Sequence, residues 1–92
     1  MNVVVKYTAQ LKKEAGIASQ NFEVVEEDNL QSLLLKVSQS YNENFHDMLF
    51  TTDEIFRQSI MIVHNGAQVG IADSLLFAEG DEILLMSPIA GG

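Results

Sequence analysis

The chain has no cysteine, a single proline, and only five basic residues among 92. Without a thiol there is no disulfide, no thiolate nucleophile, no cysteine-held zinc and no iron–sulfur cluster. The same absence fits a reducing cytoplasm, which is the expected location. Thirteen acidic residues against the five bases leave a formal charge of −8. Lys6, Lys12, Lys13, Lys36 and Arg57 are too few and too scattered to build the basic face that nucleic acid requires. A protein with a basic surface is the better partner, because opposite fields speed encounter. Apolar runs are only a few residues long, so no membrane span is expected. Met1 leads straight into a strand-like segment, and no signal peptide is expected.

Side-chain chemistry is also sparse. His46 and His64 lack metal-ligand spacing, no H-E-x-x-H occurs, and no metal site is expected. His64 reads as a partly exposed structural residue beside a turn, and His46 as part of a solvated loop. There is no G-K-[ST], and Gly66 and Gly70 read as turn residues. Glu23, Glu26, Glu27 and Asp28 read as a solvated strand end and a helix cap. A general acid–base pair needs a pocket, for which so short a chain leaves little room.

What remains is an ordinary globular pattern, 47% apolar and 20% charged, with neither repeat nor linker. At this size roughly two-thirds of the surface is buried on folding, enough for one core and one domain, residues 1–92. Asn2–Thr8 alternates, with Val3, Val5 and Tyr7 facing one way and Val4, Lys6 and Thr8 the other. Ala9–Gly16 reads as a short helical turn or loop, and Asn21–Glu27 as a second strand with Phe22 and Val24 inward. Asp28 is placed to cap a helix, with Gln31 at the capping-box position. Leu30, Leu33, Leu34, Val37 and Tyr41 then form one apolar helical stripe running to about Tyr41. Asn42–Gln58 reads as a partly ordered connection packed on the core. Ser59–His64 is a strand with Ile60 and Ile62 on one face and Met61 and Val63 on the other. Asn65-Gly66 marks a tight hairpin into Ala67–Val69. Glu82–Met86 is the last strand, and Pro88 ends its ladder. The class is α+β, a mixed sheet with one main helix packed on one face.

One helix leaves the other sheet face open, yet Val4, Met61, Val63, Leu84 and Met86 point toward it by alternation. They are either scattered surface hydrophobes, which are common, or a contiguous docking patch. The strand order decides between the two readings.

The chain closes on Ser87-Pro88-Ile89-Ala90-Gly91-Gly92. A terminal Gly-Gly arises by chance in about 0.5% of sequences, and this one follows directly on a strand, a proline and two small apolar residues. A tail without β-carbons can thread a narrow tunnel and place its carboxylate in another protein's active site. That carboxylate, with a pKa near ~3.5, is ionised and a poor electrophile at neutral pH. Adenylation gives it a leaving group, and sulfide attack then leaves a thiocarboxylate.

The closing segment, Asp81-Glu82-Ile83-Leu84-Leu85-Met86-Ser87-Pro88-Ile89-Ala90-Gly91-Gly92, resembles that of the molybdopterin synthase small subunits, which are ubiquitin-like sulfur carriers. Tyr7-Thr8-Ala9-Gln10-Leu11, the Val63-His64-Asn65-Gly66 turn, and Leu75/Leu76 before Glu79-Gly80-Asp81-Glu82 carry the resemblance through most of the chain. Two features depart from it: Ser87 stands where the family often has a first proline, and the 42–58 connection is long. The resemblance implies a β-grasp fold with the first and last strands adjacent, parallel and central, which would gather Val4, Met61, Val63, Leu84 and Met86 as a partner-binding face. It implies a flexible tail, 87–92, in which Pro88, Ile89, Ala90 and Gly91 enter partner active sites and Gly92 carries the reacting carboxylate. It implies two partners, an ATP-dependent adenylating enzyme and the molybdopterin synthase large subunit. The chain itself would then be a sulfur-donating cosubstrate with no bound cofactor and no catalytic side chains. A carrier for thiamin or tRNA thiolation, a β-grasp interaction module and a lysine-conjugated modifier are the alternatives.

Overall fold

The computed structural model describes residues 1–87. The elements in chain order are β1 (Asn2–Tyr7), α1 (Ala9–Ala15), β2 (Ser19–Glu23), α2 (Leu30–Ser38), α3 (Glu43–Leu49), β3 (Met61–His64), β4 (Ala67–Val69) and β5 (Glu82–Met86). They form a ubiquitin-like β-grasp fold. The five strands make one mixed sheet in the order β2-β1-β5-β3-β4. β1 and β5 are parallel and central, and every other pairing is antiparallel.

Alternation along β1 is realised in full: Val3, Val5 and Tyr7 are buried, while Val4, Lys6 and Thr8 are not. Phe22, Val24, Ile62, Ile83 and Leu85 join them in one core with Leu11 of α1, Leu30, Leu33, Leu34 and Val37 of α2, and Phe45 and Leu49 of α3. All three helices therefore bury their apolar stripes against the same side of the sheet. Among the described residues no helix is long and apolar enough to cross a membrane.

Several element boundaries differ from the expected ones, each for a local reason. The cap of α2 is Asn29 and not Asp28. Asn29 Oδ1 accepts from the Ser32 amide at 2.8 Å while the Asn29 amide donates to Ser32 Oγ at 2.9 Å, so Ser32 replaces Gln31 in the capping box. Asp28 instead accepts from the Val25 amide and from Ser32 Oγ. These bonds, the Val25 one foremost, hold its carboxyl below the usual range against a smaller opposing effect of burial. α2 stops at Ser38, where Ser38 Oγ donates to the Leu35 carbonyl at 2.7 Å and competes with the next helical turn. Tyr41 leaves the helix but stays packed, its hydroxyl 2.7 Å from Tyr7 Oη and donating to Gln20 Oε1. β2 covers Ser19–Glu23; Val24 still exchanges two bonds with Met1, and the chain then turns, the Asp28 amide donating to the Val25 carbonyl at 3.0 Å. β3 begins at Met61, since Arg57–Ile60 closes as a turn.

The larger correction is α3, inside the segment read as a partly ordered connection. Asn42 is not a break but an N-cap, its side chain accepting from the Phe45 amide at 2.8 Å. Phe45 and Leu49, four apart, then share the buried face. Phe50 bridges back to Phe56 across a turn and packs edge-to-face on it at 5.3 Å. His46, expected in a solvated loop, lies in α3 and stacks on Phe50 at 5.9 Å. Asn42→Ala is expected to lower unfolding free energy by about 1 kcal/mol, the usual value of such a cap, as read by urea denaturation. An unchanged midpoint would mean that packing alone holds α3.

Candidate functional site

The sheet face opposite the helices carries the candidate site, and register places its residues. Val63 and Leu84 are directly paired, and Lys6 lies on the other side of Leu84, so Lys6, Leu84 and Val63 form one row across three strands. Met61 and Met86 are paired in the next row. Val4 is paired with Glu82, on the far side of Leu84 from the methionines. Met61 is 42% and Met86 37% exposed, values that leave most of one face of each side chain open to a partner. Val4, Val63 and Leu84 are half-buried. Four of the five expected residues are thus contiguous. Val4 shares the face but lies at the rim, beside an exposed Lys6–Glu82 ion pair of 3.0 Å.

This face ends where β5 ends. Met86 is the last residue of the ladder, and Ser87 follows it, half-buried. Pro88, Ile89, Ala90, Gly91 and Gly92, expected to form the reacting tail, lie outside the described residues. The apolar pair Met61/Met86 therefore sits at the chain's exit from the sheet.

The opposite end of β5 is fixed by a polar cluster that sequence reasoning missed. Asp81 is 8% exposed and binds four groups. Its Oδ2 lies 2.9 Å from His64 Nε2 and accepts from the Ala78 amide at 2.9 Å, and its Oδ1 accepts from Asn65 Nδ2 at 3.0 Å. Its backbone carbonyl accepts from the Val4 amide at 2.8 Å. Asn65 Oδ1 in turn accepts from the Glu82 amide at 2.8 Å. The Asn65-Gly66 hairpin, with φ of 49° and 89°, has the positive values its sequence predicts. The cluster ties that hairpin to the start of β5 and so sets which residues face the open side. Only Asp81 following Gly80 hinted at it, and that reads equally well as an ordinary turn. His64 is structural, as expected, and among the described residues no group of three His, Cys, Asp or Glu could hold a metal.

The bonds from His64 and Asn65, in that order, hold the Asp81 carboxyl below its ordinary range, outweighing the desolvation that would raise it. A depressed folded-state value stabilises the fold above the unfolded pKa, and this contribution is lost as pH falls through the folded one. Asp81→Ala leaves three donors without their acceptor and is expected to cost about 1–3 kcal/mol at neutral pH. The gap in melting temperature between parent and variant should hold from pH 7 down to about the unfolded value of 3.8 and shrink below it. A gap that stays constant would assign the loss to packing.

The sequence matches the ThiS family over residues 5–92. The chain belongs to the ThiS family. It is therefore a ubiquitin-like sulfur carrier by family, and the match runs from within β1 to Gly92. No curated protein matches it. Among solved structures, this ThiS-family chain is similar to SAMP1 from Haloferax volcanii, at 22% identity over 100% of both chains with a TM-score of 0.87. It is similar to Urm1 from Trypanosoma brucei, at 22% identity over 99% of this chain and 95% of that one, TM-score 0.75. It is also similar to a chain in the complex of subunits 1 and 2 of the molybdopterin-converting factor from Helicobacter pylori, at 20% identity over 100% of both, TM-score 0.62. At these identities the likeness is one of fold.

Proposed function

We propose that this ThiS-family chain is the small subunit of a molybdopterin synthase and donates sulfur from a thiocarboxylate at Gly92. The observation that carries the proposal is the placement of a contiguous apolar patch, Met61, Val63, Leu84 and Met86, at the end of the sheet from which the Gly-Gly tail departs. A protein that docks on this patch receives the tail beside it. The Helicobacter pylori structure, in which a similar chain is complexed with the second subunit of the molybdopterin-converting factor, supports a large subunit as the acceptor.

The chemistry is that of a carboxylate made reactive by a partner. The Gly92 carboxylate attacks the α-phosphate of ATP in an adenylating enzyme, forming the acyl-adenylate and releasing pyrophosphate. Sulfide attacks the acyl carbon, the bond to AMP breaks, and AMP leaves with the electron pair. The thiocarboxylate sulfur bonds to the substrate of the large subunit, and water then cleaves its bond to the Gly92 acyl carbon, leaving sulfur on the substrate and returning the carboxylate. The chain contributes no catalytic side chain and no bound cofactor to these steps. Its part is to present a slim tail, and the acidic surface steers the encounter.

The test is the intact mass of the chain after incubation with an adenylating enzyme, ATP and a sulfide source. Replacement of one oxygen by sulfur at the terminus, followed by sulfur transfer only when the large subunit is added, is the expected result. An unchanged mass overturns the carrier chemistry in favour of an interaction module. A stable amide to a lysine assigns the chain to protein modification instead.

A further inference from the structure

Met61 belongs to two surfaces. Besides the open sheet face, it lines a groove of ≈ 470 Å³ at the free edge of β4, between the 56–60 segment and the 69–73 turn. Phe56, Ile60, Val69 and Ile71 give the groove apolar walls, and Arg57 and Gln68 lie along it. β4 is an outer strand, paired with β3 on one side only. The Asn65 amide donates to the Glu82 carbonyl of β5. Alternation then turns the backbone groups of Ile62 and His64 toward β4, where they face Val69 and Ala67. Gln68, opposite Val63, therefore points its own amide and carbonyl away from the sheet. Gly70 closes the edge beyond it, since its amide donates to Asp73 Oδ2 at 2.8 Å and its carbonyl accepts from the Asp73 amide at 3.0 Å.

An outward amide and carbonyl beside an apolar groove suit an extended peptide backbone. A helix spends its own backbone groups internally. The other outer strand, β2, offers less, because Lys36 Nζ already occupies the Glu23 carbonyl at 2.7 Å. Charge narrows the choice further. Arg57 is the single arginine of a chain with a formal charge of −8. Its Nε donates to the Asp47 carbonyl at 2.5 Å and its amide to the Leu49 carbonyl at 2.8 Å, which holds the guanidinium at the groove. Among the described residues it forms no ion pair, whereas Lys6 and Lys36 both do. An acidic surface repels a carboxylate over most of its area, so one acid on an incoming segment would be favoured at Arg57 and would fix the segment's register.

We propose that the β4 edge and its groove receive an extended segment of a partner protein, which adds a strand to the sheet at Gln68 and places an apolar residue in the groove and, two residues away, an acidic residue on Arg57. Residues two apart on a strand share one face, so both side chains enter the groove together. Met61 makes this surface continuous with the Met61/Met86 patch, and one partner can cover both. Such a contact is independent of the chemistry at Gly92.

The probe is the peptide acetyl-Thr-Val-Thr-Asp-Thr-Val-Thr-amide, which reads alike in either direction and whose β-branched residues favour an extended chain. Titrated into the full-length, nitrogen-15-labelled chain, it is expected to shift the Gln68, Val69 and Ile71 amides and the Arg57 side-chain signal saturably, with a Kd on the order of millimolar. Asparagine in place of the peptide's aspartate should weaken binding roughly two- to five-fold, as for loss of an exposed ion pair. Arg57→Gln should weaken the aspartate peptide as much and leave the asparagine peptide unaffected. Gln68→Pro removes the outward amide where an edge strand tolerates proline, and N-methylation of the two threonines flanking the aspartate removes the matching donors. Each should weaken binding roughly five-fold or more, the worth of about one hydrogen bond. Absence of saturable shifts overturns the proposal, as do shifts confined to Leu84 and Met86 or to β2. An affinity that neither Arg57→Gln nor N-methylation alters overturns it too. Self-association of the chain that Gln68→Pro abolishes assigns the edge to a second copy and likewise overturns it.

Discussion

Deletion of Gly92 is expected to abolish sulfur charging by the adenylating enzyme and to leave the melting temperature of the chain unchanged. The deletion draws the reacting carboxylate back by up to ~3.6 Å. Misplacement of a reacting group by about 1 Å already costs on the order of 100-fold in rate. One residue added after Gly92 should be equally damaging, because it displaces the carboxylate forward and adds bulk beside it. The core should be untouched by either change, since among the described residues Leu85 is the last member of the buried cluster. Thiocarboxylate formation and thermal unfolding, measured side by side on parent, deletion and extension, separate chemistry from folding. Charging of either variant at the parental rate would remove the terminal carboxylate from the mechanism.

Met86→Glu is expected to weaken assembly with the large subunit by about 100-fold or more, which corresponds to roughly 3 kcal/mol. The new carboxylate would be desolvated against Met61 with no cation across the strand pair, and a buried unpaired charge typically costs several kcal/mol. Leu84→Glu should cost less. Its register partner on β1 is Lys6, which can turn from Glu82 toward the new carboxylate. The register thus predicts an order of effects that a diffuse hydrophobic surface would not. Titration calorimetry on the separated subunits reads both values, and salt should slow association more than it speeds dissociation. Equal affinity of both variants and the parent would place the interface elsewhere.

Much of this arrangement was legible before any coordinates, because it depends on local periods. The alternation Val3/Val5/Tyr7 against Val4/Lys6/Thr8 assigns both faces of β1 from side-chain geometry alone. The stripe Leu30, Leu33, Leu34 and Val37 does the same for α2, and Asn65-Gly66 could close a hairpin in few other ways. The terminal Gly-Gly pointed to a sulfur-carrier family, and the family match extends to Gly92. Local pattern failed where polar residues have two uses. Asn42 reads as a helix breaker or a helix cap, and only the burial of Phe45 and Leu49 selects the cap. Asp28 and Asn29 are both competent caps, and the choice between them turns on where Val25 and Ser32 lie.

What no local pattern could supply was adjacency between segments distant in sequence. Whether Leu84 touches Val63 or stands alone depends on β5 inserting between β1 and β3, a pairing bridged by about 20 residues on one side and 75 on the other. Periodicity says which way a side chain points and is silent on what lies beside it. The same limit hid the Asp81–His64–Asn65 cluster and the placement of Arg57 with Met61 along one groove. These contacts exist because the sheet register, once held by burial of one whole face, leaves its residues no other neighbours.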